Sequence, residues 1–269
     1  MTTLAHKRLA GTGFGLAVGV AALFVLVPMV ALVTRISPLT AVEELARPES
    51  IDALMISLGA VTCALLLIVA FGTPVAFLLA RGQPGPLLSS LEVLFDLPLV
   101  LPPAVAGIAL LAAFGDGGPV GNALAPFGVQ VPFTRLAVVL ALTFVAAPLY
   151  IRQAQSAFAA CERDVLEASR TTGAGPVRRF LQIELPLAKR GLLGGLALSG
   201  ARALGEFGAT IMFAGSVAGV TQTLTLAIYG SLYTSADAAF ALAILLLVLT
   251  VAISVLARLY GARAGWEAR

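Results

Sequence analysis

The chain has little of what catalysis requires. Its single histidine, His6, lies in the amino-terminal tail, so no histidine-based catalytic or metal site can form. The sequence contains no Gly-x4-Gly-Lys-Ser/Thr phosphate loop and no Gly-x-Ser-x-Gly elbow. We therefore predict that the chain has no catalytic residue, no metal site and no cofactor of its own, and that it cannot hydrolyse ATP.

Charge and cysteine are scarce as well. Charged residues make up 12% of the sequence, whereas soluble domains contain about a quarter. The two cysteines, Cys63 and Cys161, fall at different predicted depths, one within an apolar run and one in a polar loop. That placement argues against a disulfide, and both cysteines are interpreted as packing residues. The low charge excludes an ordinary soluble domain.

Apolar sequence is plentiful. Hydrophobic residues make up 59% of the chain and its mean hydropathy is +0.99. A helix needs about 20 apolar residues to cross a bilayer. The pattern predicts an all-α integral membrane protein, a single domain over residues 1–269 with six transmembrane helices at about 9–34, 53–80, 93–114, 136–157, 191–213 and 238–257. The first run exceeds the roughly 7–15 residues of a signal-peptide core, so we interpret it as a retained span.

The basic residues predict the orientation of these spans. Thirteen of the 17 lysines and arginines fall in the tails and loops of one side, and three, Arg35, Arg47 and Arg135, fall on the other. Because the cytoplasmic side of a membrane protein is the richer in lysine and arginine, we predict that both termini are cytoplasmic. The net charge of +3 follows from this topology and does not indicate nucleic-acid binding.

A cytoplasmic loop at residues 158–190 interrupts the apolar pattern. Asp164 and Glu167 form the capping box that begins a helix, and Gly173 is suited to end it. Pro176 is suited to the first turn of a second short helix, which we predict to end before Pro186. The second helix places a stripe of apolar residues on one face: Val177, Phe180 and Leu181.

Two interpretations fit this loop. Short helices with an apolar face and no core of their own need a surface to bury against, which predicts a docking element for a cytoplasmic partner. Alternatively, the loop lies on the membrane and Arg178 and Arg179 contact anionic lipid.

Charges and prolines also fall within the predicted spans. Arg202 and Glu206 are spaced i, i+4 and can pair on one helix face. Such a pair either locks two helices together or lines a central pathway. In the third span Pro102 and Pro103, together with Pro98, predict a kinked or broken helix, which fits a pathway wall or a packing kink.

Several of these motifs resemble one known family. The run Glu167-Ala168-Ser169, then Gly173, then Ile183-x-Leu185-Pro186 resembles the cytoplasmic-loop signature of the permease subunits of bacterial ATP-binding-cassette importers. Ser169 stands where that signature usually has alanine. The stretches 201–215 and 221–229 are similar to the molybdate permease and, less closely, to its sulfate counterpart.

The resemblance implies a type I importer permease fold and a set of partners. It implies that two copies of a separate ATP-binding subunit, which hold the ATP and Mg²⁺, dock on Glu167, Ala168, Ser169, Gly173, Ile183, Leu185 and Pro186. It further implies a homodimer in the lipid of the bacterial inner membrane, served by a periplasmic or lipid-anchored oxyanion-binding protein. The cargo would be molybdate or tungstate. The alternatives are a sulfate or thiosulfate permease and an ion-coupled secondary transporter, for which Glu206 and Asp96 are the embedded acids.

A tetrahedral dianion can be bound by converging hydroxyl, amide and backbone N–H donors. Thr210, Thr221, Gln222 and Thr223 could supply them, although a polar exterior loop and an intrahelical hydroxyl bond are the simpler explanation of these residues. With the residues named above, the predicted pathway candidates are Arg202, Glu206, Thr210, Thr221, Gln222, Thr223, Pro102 and Pro103.

Overall fold

The computed structural model describes residues 2–83, 85–161 and 175–266, with side chains from residue 14 to residue 257 within these ranges. The secondary structure of this part of the chain is helical throughout. The helices are α1 (Thr2–Thr34), α2 (Pro38–Leu45), α3 (Pro48–Arg81), α4 (Pro86–Val100), α5 (Pro103–Phe114), α6 (Pro119–Leu124), α7 (Arg135–Ala159), α8 (Pro176–Arg179), α9 (Leu185–Leu204), α10 (Gly208–Ala214), α11 (Leu224–Ser231) and α12 (Ala236–Trp266), with a 3₁₀ turn at Ala125–Phe127 and a π turn at Phe180–Glu184. Six of them begin with proline, which suits a first turn because its N–H has no helical partner there.

Within the described ranges, five helical stretches are long and apolar enough to cross a membrane: Phe14–Thr34, Pro48–Arg81, Pro103–Phe127, Arg135–Ala159 and Ala236–Ala257. The predicted all-helical, multi-span fold is thereby confirmed, whereas the count of six stays a prediction. The remaining predicted span falls on α9 and α10. α9 has 20 residues, among them Lys189, Arg190 and Arg202, so it is less apolar than the other five.

The third predicted span, 93–114, is divided. α4 ends at Val100, Leu101 and Pro102 are extended, and α5 begins at Pro103. The predicted break is present, because two successive prolines provide no backbone donor to continue the helix. The continuous apolar helix therefore begins at Pro103, later than predicted. Pro98 lies within α4 without ending it.

The predicted fifth span, 191–213, is also divided, and here the expectation of one continuous helix was wrong. α9 ends at Leu204 and α10 begins at Gly208. The side chain of Glu206 reaches forward along the chain and accepts a hydrogen bond from the N–H of Ala209 at 2.8 Å. This bond satisfies a donor at the start of α10, so the second helix can begin without continuing the first.

Pro186 does not end the helix that begins at Pro176, contrary to the prediction. The chain passes from α8 through the π turn into α9, with Pro186 in the first turn of α9. In the π turn the N–H of Leu185 donates to the carbonyl of Phe180, five residues back. The wider turn shifts the helical hydrogen-bond register by one residue just before Pro186, which has no N–H to donate.

Helix α7 lies at the centre of the bundle and packs against α3, α9 and α10. Glycine allows neighbouring helices to approach α7 closely. A Cβ on Gly72 of α3 would lie 3.0 Å from the Tyr150 ring, and one on Gly191 of α9 would lie 2.3 Å from the Cβ of Ala157. Buried hydroxyls are paired across the helices, as in the 2.7 Å hydrogen bond between Thr73 and Tyr150. Paired polar groups and small residues are the means by which membrane helices associate.

Candidate functional site

The predicted docking loop is described only in its second half. Glu167, Ala168, Ser169 and Gly173, together with the predicted first helix of the loop, lie outside the described residues. Ile183 and Leu185 are half-buried, and Pro186 is exposed. These three residues fall where the π turn meets α9.

The predicted apolar stripe of this loop divides between two surroundings. Phe180 packs into the core, with its ring centroid 4.8 Å from that of Phe77 and 6.0 Å from that of Phe158. Val177 and Leu181 remain 70% and 53% exposed on the same short segment. Phe180 thus fixes the segment to the bundle, while the other two present an apolar surface outward.

A buried carboxylate holds the segment to the third helix, which sequence reasoning did not predict. Glu184 is 2% exposed. Its two oxygens accept hydrogen bonds from the Nε of Arg81, at the end of α3, at 3.0 Å and from the Nε of Arg179 in α8 at 3.1 Å. The Arg81–Glu184 contact joins residues 103 positions apart, and no local signal in the sequence indicates it. We call Arg81, Arg179 and Glu184 the ion cluster.

Cys161 lies beside the ion cluster. Burial raises the pKa of its thiol above the ordinary value, and the positive charge of Arg81 partly offsets this effect. The thiol therefore remains protonated at neutral pH and serves as a packing group, which agrees with its interpretation from the sequence.

The two divided spans are broken at the same place, which we call the double break (residues 101–103 and 205–208). A Cβ added to Gly208 would lie 2.8 Å from the Cβ of Pro103 and 3.1 Å from the backbone nitrogen of Ala104. The starts of α5 and α10 are therefore in direct contact. Gly107 continues this close packing one turn later, where a Cβ would lie 2.6 Å from the carbonyl oxygen of Ala209.

The predicted Arg202–Glu206 pair is present at the double break. Nη1 of Arg202 lies 2.6 Å from Oε2 of Glu206, and the side chains are 32% and 1% exposed. Oε1 of Glu206 caps α10, and the Glu206 carbonyl accepts a hydrogen bond from the hydroxyl of Thr225 at 2.7 Å. Glu206 is thus fixed on three sides, whereas part of the Arg202 guanidinium remains accessible.

Thr210, in the first turn of α10, is fully buried, and its hydroxyl has no hydrogen-bond partner among the described residues. A buried polar group without a partner destabilises a fold by about 1–3 kcal/mol. The Thr210 hydroxyl therefore makes no hydrogen bond to a carbonyl of its own helix, which was one of the two explanations that the sequence offered.

The other three threonine and glutamine candidates stabilise a loop. Oγ1 of Thr221 accepts from the N–H of Val217 at 3.0 Å, and Nε2 of Gln222 donates to Ser216 at 3.3 Å. The hydroxyl of Thr223 pairs with that of Thr225 at 3.0 Å, which links it to the double break only through its neighbour. The structure thus brings Arg202, Glu206, Thr210, Pro102 and Pro103 to the double break, and places Thr221 and Gln222 in the loop before α11.

Non-helical backbone is exposed at the double break. Pro102, Pro103 and Gly205 are exposed, and each lies at or beside a helix end within a predicted span. Lipid cannot hydrogen-bond to free backbone groups, so non-helical backbone at membrane depth occurs where it lines water or is covered by protein. This surface therefore suits a water-filled pathway or a contact with a second subunit.

A second polar contact within the spans was also missed. Arg152 of α7 donates through Nε and Nη2 to the two oxygens of Asp96 in α4, and Gln155 donates to Glu92 at 2.8 Å one turn away. Asp96 is thus held by a bidentate ion pair, the strongest arrangement for a carboxylate. Both acids considered for ion coupling, Asp96 and Glu206, are paired with arginine.

Comparisons with known proteins are consistent with this architecture. The family model described as the inner membrane component of binding-protein-dependent transport systems matches residues 72–265. The chain is 43% identical over 225 residues to the molybdenum transport system permease protein ModB of Mycobacterium tuberculosis, covering 84% of this chain and 85% of that protein. It is 35% identical over 225 residues to the sulfate transport system permease protein CysT of Salmonella typhimurium, covering 81% and 80%.

The fold also matches a solved structure. A bacterial alginate ABC transporter in complex with a periplasmic protein bound to an alginate pentasaccharide has a chain that superposes with a TM-score of 0.77. The superposition covers 98% of this chain and 97% of that chain, at 15% identity. At that identity the similarity concerns the fold alone.

Proposed function

The chain belongs to the family of inner membrane components of binding-protein-dependent transport systems, and on that basis we propose that it is the permease subunit of an ATP-driven molybdate importer. It has no ATPase motif of its own, so the ATPase is a separate chain. The observation that carries the proposal is the 43% identity to a molybdenum permease over 84% of the chain. Tungstate, a tetrahedral dianion of the same shape, would follow the same route.

Sulfate is the second candidate cargo. It is favoured by the 35% identity to a sulfate permease over a similar length, and it has the same tetrahedral shape and charge. The lower identity makes it the less supported choice. An ion-coupled transporter is less supported still, because the two embedded acids, Asp96 and Glu206, are both held in ion pairs.

We propose that the segment from Pro176 to Pro186 is part of the surface on which the ATP-binding subunit docks. The exposed Val177 and Leu181 offer apolar contacts to such a partner. The ion cluster and Phe180 fix this surface to α3 and to the core. ATP and Mg²⁺ would be held by two copies of that partner, and its closing and opening would favour alternate states of the permease.

We propose further that the double break lines the pathway of the cargo. Exposed backbone at membrane depth needs water, and Arg202 provides a partly accessible cation at the same place. One copy of the chain would form half of such a pathway, so we infer a homodimer in the bacterial inner membrane. Both termini would be cytoplasmic, and the opposite face would receive a periplasmic or lipid-anchored oxyanion-binding protein.

The proposal is tested by reconstitution. The chain would be purified with the ATP-binding subunit and the binding protein that accompany it, and placed in liposomes. We expect uptake of radiolabelled molybdate that requires ATP, with tungstate competing at equal concentration and sulfate only in large excess. Equal competition by sulfate would transfer the assignment to the sulfate branch. Uphill uptake by the chain without a partner would refute an importer of this class.

A further inference from the structure

A polar cavity of about 360 Å³ lies between two corners of the chain, on the side of the membrane that we propose as exterior. One wall is the corner between α2 and α3, and the other is the corner between α11 and α12. We call it the corner cavity. Its polar lining includes Glu44, Arg47, Gln222, Ser231, Thr234 and Ser235. No step of the transport cycle described above uses it.

Glu44 is the unusual member of this lining. It is 7% exposed, although the acids beside it in sequence and at the start of α3, Glu43 and Glu49, are exposed. Its Oε1 pairs with Nη2 of Arg47 at 2.8 Å. Its Oε2 is buried with no hydrogen-bond partner among the described residues. Leaving a buried carboxylate oxygen unpaired is unfavourable, so the site is completed when a donor enters.

The surrounding negative charge indicates that the entering donor is positively charged. In the three predicted exterior segments, 35–52, 115–135 and 214–237, the sequence has six acidic and three basic residues, a net charge of −3. The corner cavity itself has two acids, Glu44 and Glu49, against Arg47. A negative face on an importer of dianions repels its own cargo and attracts a partner with a basic docking face.

We propose that the corner cavity receives a lysine or arginine side chain of the oxyanion-binding protein, whose cationic head pairs with Glu44. The inference rests on the proposed function, because it assumes a binding protein on this side. Hydroxyls of Ser231 and Ser235 and the amide oxygen of Gln222 can accept the remaining N–H groups of the cation. The exposed Arg47, whose side chain is 57% exposed, can move aside toward water as the partner enters.

The experiment compares two adjacent glutamates. The permease and its ATPase would be placed in nanodiscs, and the affinity of the binding protein that co-purifies with the wild-type complex would be measured over a range of salt. We expect Glu44→Gln to weaken binding about tenfold and to reduce the salt dependence of the affinity. Glu43→Gln removes the same charge from the same helix outside the cavity, and we expect it to stay within about twofold of wild type.

Two further variants separate the cavity from general effects of charge or folding. Ser231→Leu fills the cavity without changing its charge, and we expect the same weakening as for Glu44→Gln. Glu44→Lys should bind more weakly still, and replacement of the entering lysine or arginine of the partner by glutamate should restore binding. Basal ATP hydrolysis should be unchanged in Glu44→Gln, because the binding protein is not needed for it. The complex should remain folded, because the lost ion pair involves an Arg47 side chain that is largely exposed to water.

A photoreactive residue at position 231 identifies the occupant. Crosslinking to the binding protein supports the proposal, and crosslinking only to an aminophospholipid would overturn it. Unchanged affinity in both Glu44→Gln and Ser231→Leu would also overturn it, while the importer assignment would stand. If no binding protein associates with the wild-type complex, the proposed function itself fails.

Discussion

Substitution of Glu184 by glutamine should uncouple ATP hydrolysis from uptake. The change keeps the shape of the side chain and removes its charge, leaving Arg81 and Arg179 side by side with no counterion. Removing one member of a buried ion pair destabilises a protein by about 3–5 kcal/mol. Because the two arginine side chains are 25% and 23% exposed, water reduces this value, and we expect about 3 kcal/mol.

That free energy applies to the attachment of the proposed docking segment, Pro176 to Pro186, to the bundle. Since about 1.4 kcal/mol is a factor of ten, the attached state becomes about a hundredfold less populated relative to the detached one. Motion of the ATP-binding subunit would then move the segment without moving α3. We expect ATP hydrolysis by the reconstituted complex to persist while molybdate uptake falls by at least about tenfold.

Two control variants make the test specific. Arg178→Gln removes a charge from the same segment, but Arg178 bonds only to Gln182 among the described residues, so uptake should stay near wild type. The double variant Arg81→Gln with Glu184→Gln leaves only the Arg179 charge in the cluster and should recover part of the stability lost in Glu184→Gln alone. Wild-type uptake and wild-type thermal stability of Glu184→Gln would refute the reasoning.

Three further predictions concern the double break and the thiol. Gly208→Ala places a Cβ 2.8 Å from that of Pro103, and in thermal-shift and uptake assays it should lower stability by about 1–3 kcal/mol and reduce uptake. The control Gly194→Ala, whose Cβ would have no atom within 4 Å, should change neither stability nor uptake. Thr210→Val removes a buried hydroxyl that has no partner among the described residues, so the free energy of unfolding should be equal or higher by about 1 kcal/mol. A loss of molybdate uptake in this stable variant would show that the hydroxyl contacts the cargo. In a Cys63→Ala background, maleimide should label Cys161 more slowly in the folded chain than in the unfolded chain at pH 8, because only the thiolate reacts and the pKa of this thiol is raised by folding. The difference should close as the pH rises, and equal rates at pH 8 would contradict the burial of this thiol.

The sequence predicts the parts of the fold that depend on local chemistry. Apolar runs predict the spans, and consecutive prolines predict the break at Pro102 and Pro103, because a missing N–H acts at its own position. The pairing of Arg202 with Glu206 is predicted by their i, i+4 spacing, and it forms although the helix ends between them at Leu204. These features need no information about the rest of the chain.

Other features depend on contacts between distant residues, which spacing does not reveal. Glu184 is buried where Arg81, from another helix, reaches it. The break at residues 205–207 requires Glu206 to cap a new helix, and a continuous helix was equally compatible with the local sequence. Pro186 was interpreted as a helix end because the π turn before it has no sequence signature.

The unbroken backbone from Pro176 to Leu204 has a mechanical consequence. At about 1.5 Å per residue, it forms a single helical segment about 40 Å long between the proposed docking surface and the double break. A tilt imposed at the Pro176 end is therefore expected to displace Gly205, since no loop separates the two. The gap at residues 205–207 is the first place along this segment, counted from the π turn, where the helix itself is interrupted.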